Sequence, residues 1–214
     1  ESVRQLATDH NIILIFDECT SGFRETFGGL YKKYGVEPDM MMLGKTLGNG
    51  YAITTVMGRR EIMKAAEETF ISSTFWTERI GSAAALKTLE VMEREKSWEK
   101  ITDMGKSIGQ RWYALAEKYK LPIEIGGLPA LVNFTFPVKN WLKYKTLITQ
   151  EMIKKRYLAA DSVYVCMDHT SEIIDEYFEH LESVFASINE CESGRNIDDL
   201  LESPICHSGF HRLT

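Results

Sequence analysis

The sequence lacks the features that usually mark metal-rich, membrane-spanning or nucleic-acid-binding proteins. Its four cysteines are widely spaced and form no C-x-x-C pair, so neither a zinc site nor a dithiol redox site is indicated. No apolar run approaches the ~20 residues that cross a bilayer. The 25 basic and 31 acidic side chains leave a net charge of -6. Because this charge offers no general attraction for nucleic acid or anionic lipid, we expect neither as a partner.

The two ends of the sequence carry few signals. Residues 1–11 lack the order of basic, apolar and small residues that forms a signal peptide, which predicts a cytoplasmic protein with reduced thiols. Near the C-terminus, Cys206, His207 and His211 are close in sequence. A closed metal site would need a fourth ligand from elsewhere, so we interpret the segment as a docking tail and expect no metal.

Hydrophobic patterning predicts strands alternating with helices in the first hundred residues. Residues 1–10 resemble the end of a helix, and the apolar run at 12–16 is typical of a parallel strand covered on both faces. Further strands are predicted at 39–43 and 53–58. Helices are predicted at 30–34, 59–68 and 78–95.

The pattern changes near residue 100. A long helix with one aromatic face, which we expect to be core, is predicted at about 97–119. The rest predicts short strands within 121–136 and 157–167, a helix at 141–156, and a last helix that residues 169–171 would cap. We therefore predict an α/β protein with two domains: a mostly parallel sheet in residues 1–100, and a smaller α+β domain at 101–214.

The segment MLGKTLGNGY at 42–51 raises a choice between nucleotide binding and covalent chemistry. It contains the Gly-Lys-Thr of a P-loop, but the position that requires the first glycine of that loop is Asp39. Lys45 and Asp17 instead follow two neighbouring predicted strands, at the sheet edge where α/β proteins bind ligands. A buried acid and a lysine there suit pyridoxal phosphate. A purely structural Asp–Lys salt bridge fits the same spacing.

Three longer blocks resemble one known family in order and spacing. They are LIFDECTSGFR at 14–24, GVEPDMMMLGKTLGNGYAITTVMGRREIM at 35–63 and SSTFWTERIGSAAALKTLE at 72–90. They resemble the class III pyridoxal-phosphate-dependent aminotransferases, on the branch that includes glutamate-1-semialdehyde aminomutase. The resemblance implies a PLP-dependent transferase of fold type I with a partial large domain. It also implies pyridoxal 5'-phosphate, a small-molecule amino donor and carbonyl acceptor, and a homodimer with the active site at its interface.

The resemblance also implies roles for individual residues. Asp17 would pair with the pyridine nitrogen of the cofactor, and Lys45 would form the Schiff base and then move a proton between substrate and cofactor. Cys19, where valine is usual, would lie under the ring, and Thr20 would approach its phenolic oxygen. Thr74 would bind the cofactor phosphate across the dimer interface. We expect burial to help keep Lys45 neutral.

Two interpretations of the whole chain remain open. Family members are longer, and the part without a counterpart here would precede Glu1 and include the phosphate-binding loop and the aromatic residue that stacks on the cofactor. The chain is then either a fragment of an aminotransferase or aminomutase, or a truncated, non-catalytic domain that acts only by assembling with a partner. Self-association is expected in both cases, because the sheet edge would be uncovered. We interpret Arg24 as a loop anchor in preference to a substrate-carboxylate anchor.

Overall fold

The computed structural model describes residues 1–75 and 77–209, which divide into two compact units, Glu1–Lys100 and the residues from Ile101 onward. The assignment of the first unit to a cofactor-binding large domain stays a prediction. Trp76, within the third family-like block, and His211, within the docking tail, lie outside the described residues. Among the described helices, none combines the length and apolar character needed to cross a membrane.

The first unit alternates helices and strands much as its sequence predicts. Its helices and strands are α1 (Ser2–Asp9), β1 (Ile15–Asp17), α2 (Tyr31–Tyr34), β2 (Met40–Leu43), β3 (Thr55–Gly58), α3 (Arg60–Met63) and α4 (Ile80–Glu95). Two 3-10 turns, Lys45–Leu47 and Lys64–Glu67, follow β2 and α3. The predicted helix at 59–68 is therefore split into an α-helical turn and a 3-10 turn.

The sheet of the first unit has the order β1-β2-β3. β1 and β2 are parallel, with Asp17 opposite Met42, whereas β2 and β3 are antiparallel, with Leu43 opposite Thr55. Only residues 44–54 connect β2 to β3, too few for the crossover of about a dozen residues or more that parallel strands need. A mostly parallel sheet was predicted, and its described strands form one parallel and one antiparallel pairing.

The outer edge of β1 has no paired strand among the described residues. Ile13 and Ile15 remain 52% and 50% exposed. The expectation of a strand covered on both faces is therefore wrong for the described part of the chain. The first unit buries its apolar side chains elsewhere, in a core that includes Phe23, Leu43 and Leu47.

Asp39 joins several elements of the first unit through one buried carboxylate. It accepts hydrogen bonds from the Leu14 backbone N–H and the Arg4 guanidinium, both at 2.8 Å, and forms an ion pair with Arg59 at 3.1 Å. These contacts connect α1, the start of β1 and the segment between β3 and α3 to the start of β2. Asp39, which stands where a P-loop would require glycine, thus stabilises the sheet through these contacts.

The second unit contains most of α5 (Ser97–Lys118), together with β4 (Glu124–Gly126), β5 (Asn133–Thr135), α6 (Trp141–Lys154) and α7 (Ser171–Glu192). β4 and β5 form an antiparallel pair. The core includes Trp112, Phe134, Phe136 and Phe185, all at most 1% exposed, so the aromatic face predicted as core is confirmed for this part of α5. As predicted, Thr170 caps α7 by accepting a hydrogen bond from the Ile173 N–H.

The predicted strand within 157–167 is largely wrong. The segment forms one isolated bridge, between Ser162 and Asn133. Val163 and Val165 also donate backbone hydrogen bonds to Val132 and Ala130. Pro129–Leu131 is a 3-10 turn, so a regular ladder cannot continue along this side. The β-forming composition therefore produces an extended segment without a full strand.

Candidate functional site

Asp17 and Lys45 lie at the same edge of the sheet. Asp17 is the last residue of β1, and Lys45 begins the 3-10 turn just after β2. Because β1 and β2 are adjacent and parallel, their carboxyl ends coincide. Hydrogen bonds from Cys19 and, to a smaller extent, the positive charge of Lys45 lower the pKa of Asp17, in keeping with the position of both side chains at this edge. The sheet therefore brings together the two residues that the sequence singled out.

Cys19 fixes the Asp17 carboxylate. The Cys19 backbone N–H donates to Asp17 Oδ1 at 3.1 Å, and its thiol forms a second hydrogen bond to the same carboxylate. These bonds, more than the charge of Lys45, lower the pKa of Asp17. Asp17 is consequently an anion at neutral pH, as a partner for a protonated ring nitrogen must be.

Cys19 also packs against the end of β2. Burial raises the pKa of its thiol, and the hydrogen bond to Asp17 raises it further, so the thiol stays protonated as a donor. A methyl group added at buried Gly44 would lie 3.5 Å from Cys19 Sγ and 3.1 Å from Thr54 Cγ2. The distance to Cys19 is an ordinary contact, whereas that to Thr54 is tighter than usual, so glycine at position 44 chiefly makes room for the Thr54 methyl group.

Thr20 holds the side chain of Lys45. The lysine Nζ donates to Thr20 Oγ1 at 2.5 Å. Lys45 itself adopts a φ of 42°, in the left-handed region that non-glycine residues rarely occupy. Such backbone strain clusters at functional sites, where the surrounding structure sustains it. The resemblance implied a role for Thr20 near the cofactor, and the structure adds a direct contact with the lysine.

Glu18 organises the loop that carries these residues, and sequence reasoning did not identify it. Its buried carboxylate accepts hydrogen bonds from the backbone N–H groups of Leu30 and Tyr31, and from Ser21 Oγ at 3.3 Å. In the sequence, the feature that could have identified Glu18 is its place directly after Asp17 and ahead of a short helix that lacks a capping residue of its own.

Arg24 Nε donates to the Thr20 carbonyl at 3.4 Å, in agreement with its interpretation as a loop anchor.

One expectation about the site is not met in the described chain, and another is not tested. Asp17 and Lys45 were expected to be buried, but both are exposed, because Asp17 ends β1, which has no described neighbour on its outer edge, and Lys45 follows the end of β2. Thr74 lies in an exposed turn, and no contact among the described residues brings it to the Asp17–Lys45 cluster. Its neighbour Ser73 accepts a hydrogen bond from the Phe75 N–H at 3.1 Å. The role of Thr74 across a dimer interface stays a prediction.

The side chains fit a pyridoxal ring. An ionised carboxylate suits the pyridine nitrogen, and a primary amine suits the aldehyde carbon. Gly44, after β2, carries no side chain, and Cys19, after β1, carries only a small one, so neither adds bulk near the two strand ends. Within the described ranges, no group of three or more His, Cys, Asp or Glu side chains could hold a metal ion.

Comparisons with known proteins agree on one family. The sequence pattern of the family Aminotransferase class-III matches residues 1–162. The chain is 33% identical over 196 residues to the 3-aminobutyryl-CoA aminotransferase of Cloacimonas acidaminovorans, covering 89% of this chain and 47% of that protein. It is 25% identical over 205 residues to the glutamate-1-semialdehyde 2,1-aminomutase of Persephonella marina, covering 88% and 48%.

A solved structure shares the fold. It is the PLP internal aldimine form of the FumI protein of Sphingopyxis sp. MTA144, with a TM-score of 0.82 at 20% identity over 92% of this chain and 49% of that one. The predicted fold, a partial fold type I PLP-dependent transferase, is confirmed. The chain spans about half the length of the curated relatives it matches. It belongs to the class III aminotransferases, a family whose cofactor is pyridoxal 5'-phosphate.

Proposed function

We propose that this chain is the part of an aminotransferase that carries the aspartate and lysine of its active site. The observation that supports the proposal is the cluster of Asp17, Cys19, Thr20 and Lys45 at the carboxyl ends of β1 and β2. The complete protein would move an amino group from a small-molecule donor to a keto or aldehyde acceptor. Bound pyridoxal phosphate would supply an electrophilic aldehyde and an electron-withdrawing ring.

Asp17 would bind and orient the ring. Its carboxylate is held by the N–H and the thiol of Cys19 and is therefore ionised and fixed in direction before any ligand arrives. An anion in this position holds a proton on the pyridine nitrogen. The small side chain of Cys19 leaves room for the ring above it. Cys19 would therefore both pack against the ring and keep Asp17 ionised.

Lys45 would act at its Nζ atom, first as a nucleophile and then as the group that moves the substrate proton. A base must lie within about 2.6–3.2 Å of the proton it removes. The Thr20 hydroxyl restricts where Nζ can point and keeps it on the Asp17 side of the turn. In this role Thr20 is a positioning residue.

Residues outside the described chain would complete the site. Asp17 and Lys45 are exposed here, whereas proton transfer from carbon benefits from exclusion of water. Because the chain spans about half the length of its curated relatives, we propose that the cover comes from the remainder of the protein and from a second subunit. In such a homodimer, Thr74 would reach the cofactor phosphate of the partner.

Transfer between two molecules is favoured over transfer within one. The relative that shares 33% identity is named an aminotransferase, and the one that shares 25% is named an aminomutase. We therefore propose an aminotransferase and retain an aminomutase as the alternative. An aminotransferase releases a keto product from the amine donor, whereas an aminomutase releases an isomer of its substrate, so product mass separates them.

The experiment uses this chain and a version extended at its N-terminus by the upstream reading frame. Each is incubated with pyridoxal phosphate, a panel of primary amines and a keto acid, and the products are measured by mass spectrometry. We expect a keto product that Lys45→Ala abolishes and Lys87→Ala, a change of another exposed lysine, leaves intact. Absence of Lys45-dependent product in both proteins would contradict the proposal and favour the non-catalytic, assembling domain.

A further inference from the structure

The second unit contains a cysteine and a histidine that amino transfer does not use. Cys166 Sγ lies 3.3 Å from His169 Nδ1. The backbone N–H of Cys166 donates to the same ring nitrogen at 2.9 Å, and the His169 N–H donates to the Cys166 carbonyl at 3.2 Å. These three contacts hold residues 166–169 in a tight turn just before α7.

The backbone contact defines which ring nitrogen is the base. Since Nδ1 accepts a hydrogen bond from a peptide N–H, it carries a lone pair, and the proton of the neutral ring sits on Nε2. Nδ1 has a single lone pair, so the thiol, 3.3 Å away, shares it with the Cys166 N–H and transfers its proton when that backbone contact opens. Because the thiolate is the nucleophilic form of cysteine, a base in this position promotes reaction at Sγ. Cys166 is exposed and therefore accessible to a reagent.

His169 also lines a pocket of about 360 Å³. This volume is near the lower end of the range for small-molecule sites, ~300–1,000 Å³. Most of the other lining side chains are apolar or aromatic, among them Tyr157, Leu158, Val163, Ile173 and Tyr177. The hydroxyl of Tyr177 already accepts a hydrogen bond from Trp112. The pocket therefore suits a small aromatic or branched aliphatic group beside His169, whose Nδ1 lies 3.3 Å from the Cys166 thiol, although Cys166 itself does not line the pocket.

We propose that Cys166 and His169 form a site for covalent modification by apolar α,β-unsaturated carbonyl compounds. Nδ1 of His169 takes the thiol proton, and a sulfur electron pair forms the bond from Sγ to the β-carbon. The π electrons of the carbon–carbon double bond move to the α-carbon, which then receives the proton from Nδ1. The product is a thioether that retains every atom of both reactants.

The Cys166–His169 pair suits addition of the thiol to a double bond better than it suits disulfide formation. A disulfide would need an oxidant and a second thiol, and the other cysteines are otherwise engaged or covered. Cys191 is buried, Cys19 is hydrogen-bonded to Asp17, and Cys206 Sγ donates to the Leu142 carbonyl. Addition needs only a base that takes a proton and returns it, which is what Nδ1 offers.

The test compares two maleimides with the same reactive double bond, N-phenylmaleimide and N-(2-hydroxyethyl)maleimide. Labelling rates at all four cysteines are measured by mass spectrometry of proteolytic peptides and normalised to a free cysteine peptide. We expect Cys166 to react fastest and to favour the phenyl reagent.

Two variants distinguish the contribution of the base from that of the pocket. His169→Asn keeps an acceptor for the Cys166 N–H but offers no base, and Ile173→Gln makes the pocket polar.

His169→Asn should lower both rates at Cys166 about ten-fold. This is less than the ~10²–10⁴-fold of a positioned base in an enzyme, because a thiol already reacts in part through its thiolate form without a base. Ile173→Gln should remove the preference for the phenyl reagent without lowering the rate with the hydroxyethyl reagent. An unchanged rate in His169→Asn would mean that exposure alone governs Cys166 and would overturn the proposal. Equal normalised rates for the two reagents in the unmodified sequence would also overturn it, and this result does not depend on how any variant folds.

Discussion

At the scale of single residues, short side-chain contacts decide how the Asp17–Lys45 cluster is arranged. The positions of Asp17 and Lys45 follow from the sequence, because Asp17 comes directly after one strand-forming apolar run and Lys45 comes one glycine after another. The contacts that hold them do not. Thr20 reaches Lys45, and Glu18 reaches the start of α2, only because the loop between β1 and α2 folds back on itself. Local spacing carries no signal for such a path.

The hydroxyl of Thr20 provides a test of lysine positioning. Thr20→Val keeps the shape of the side chain but removes the acceptor for Lys45 Nζ. We expect the fraction of Lys45 that pyridoxal phosphate and borohydride modify to fall several-fold, since the amine is no longer directed. Thr20→Ser retains the hydroxyl and should behave like the unmodified chain. Equal modification in all three proteins, measured by peptide mass, would show that Thr20 does not position the lysine.

Asp39 provides a test of pH-dependent stability. The Leu14 N–H, followed by Arg4, lowers the pKa of Asp39 in the folded chain. A carboxyl group with a lowered folded-state pKa stabilises the fold above its unfolded pKa of about 3.9, and the effect is lost as pH falls through the folded value. Asp39→Asn should therefore lower the thermal midpoint at pH 7, and the difference should shrink below about pH 4.

The matched control for Asp39 is Asp103→Asn, which removes an equal charge from an exposed ion pair with Lys106. Exposed ion pairs contribute little, so this variant should unfold near the midpoint of the unmodified chain. Thermal unfolding followed by circular dichroism at several pH values makes the comparison. A loss of stability in Asp39→Asn that is independent of pH would contradict the electrostatic account.

At the scale of elements, long periodic segments were predictable and short irregular ones were not. Predicted helices at 78–95 and 141–156 correspond to α4 and α6 within about two residues, the usual uncertainty at helix ends. The segment 157–167 has the composition of a strand, yet its hydrogen-bond partners include a 3-10 turn. Amino-acid composition indicates which backbone conformation a segment favours, whereas a hydrogen-bonded ladder also depends on the backbone geometry of the neighbouring segment.

Two glycines of α5 test the packing of that helix. A methyl group at Gly105 would lie 1.8 Å from the Pro129 carbonyl oxygen, whereas one at Gly109 would lie 3.3 Å from Ile125 Cγ2. Gly105→Ala should destabilise by about 1–3 kcal/mol because backbone must move. Gly109→Ala should stay within about 1 kcal/mol of the unmodified chain, since alanine favours the helix and the neighbouring side chains can shift. Urea unfolding measures both, and equal effects would contradict this packing.

At the scale of the whole molecule, the open edge of β1 predicts self-association. Ile13 is 52% exposed next to a strand with no described partner on that side, and such edges pair with other chains. Ile13→Lys should weaken association about ten-fold, equivalent to roughly 1.4 kcal/mol. The control is Ile153→Lys on α6, where the isoleucine is 51% exposed. Sedimentation at several concentrations measures the association, and equal effects of the two variants would contradict a role for the β1 edge.

The most direct measurement of the central claim is the site at which pyridoxal phosphate attaches. The chain, and its N-terminally extended version, are treated with the cofactor and borohydride, and the modified peptide is identified by mass spectrometry. The account predicts attachment at Lys45, reduced in Asp17→Asn and unaffected in Lys87→Ala. Attachment spread over exposed lysines, with no preference for Lys45 in either protein, would contradict it.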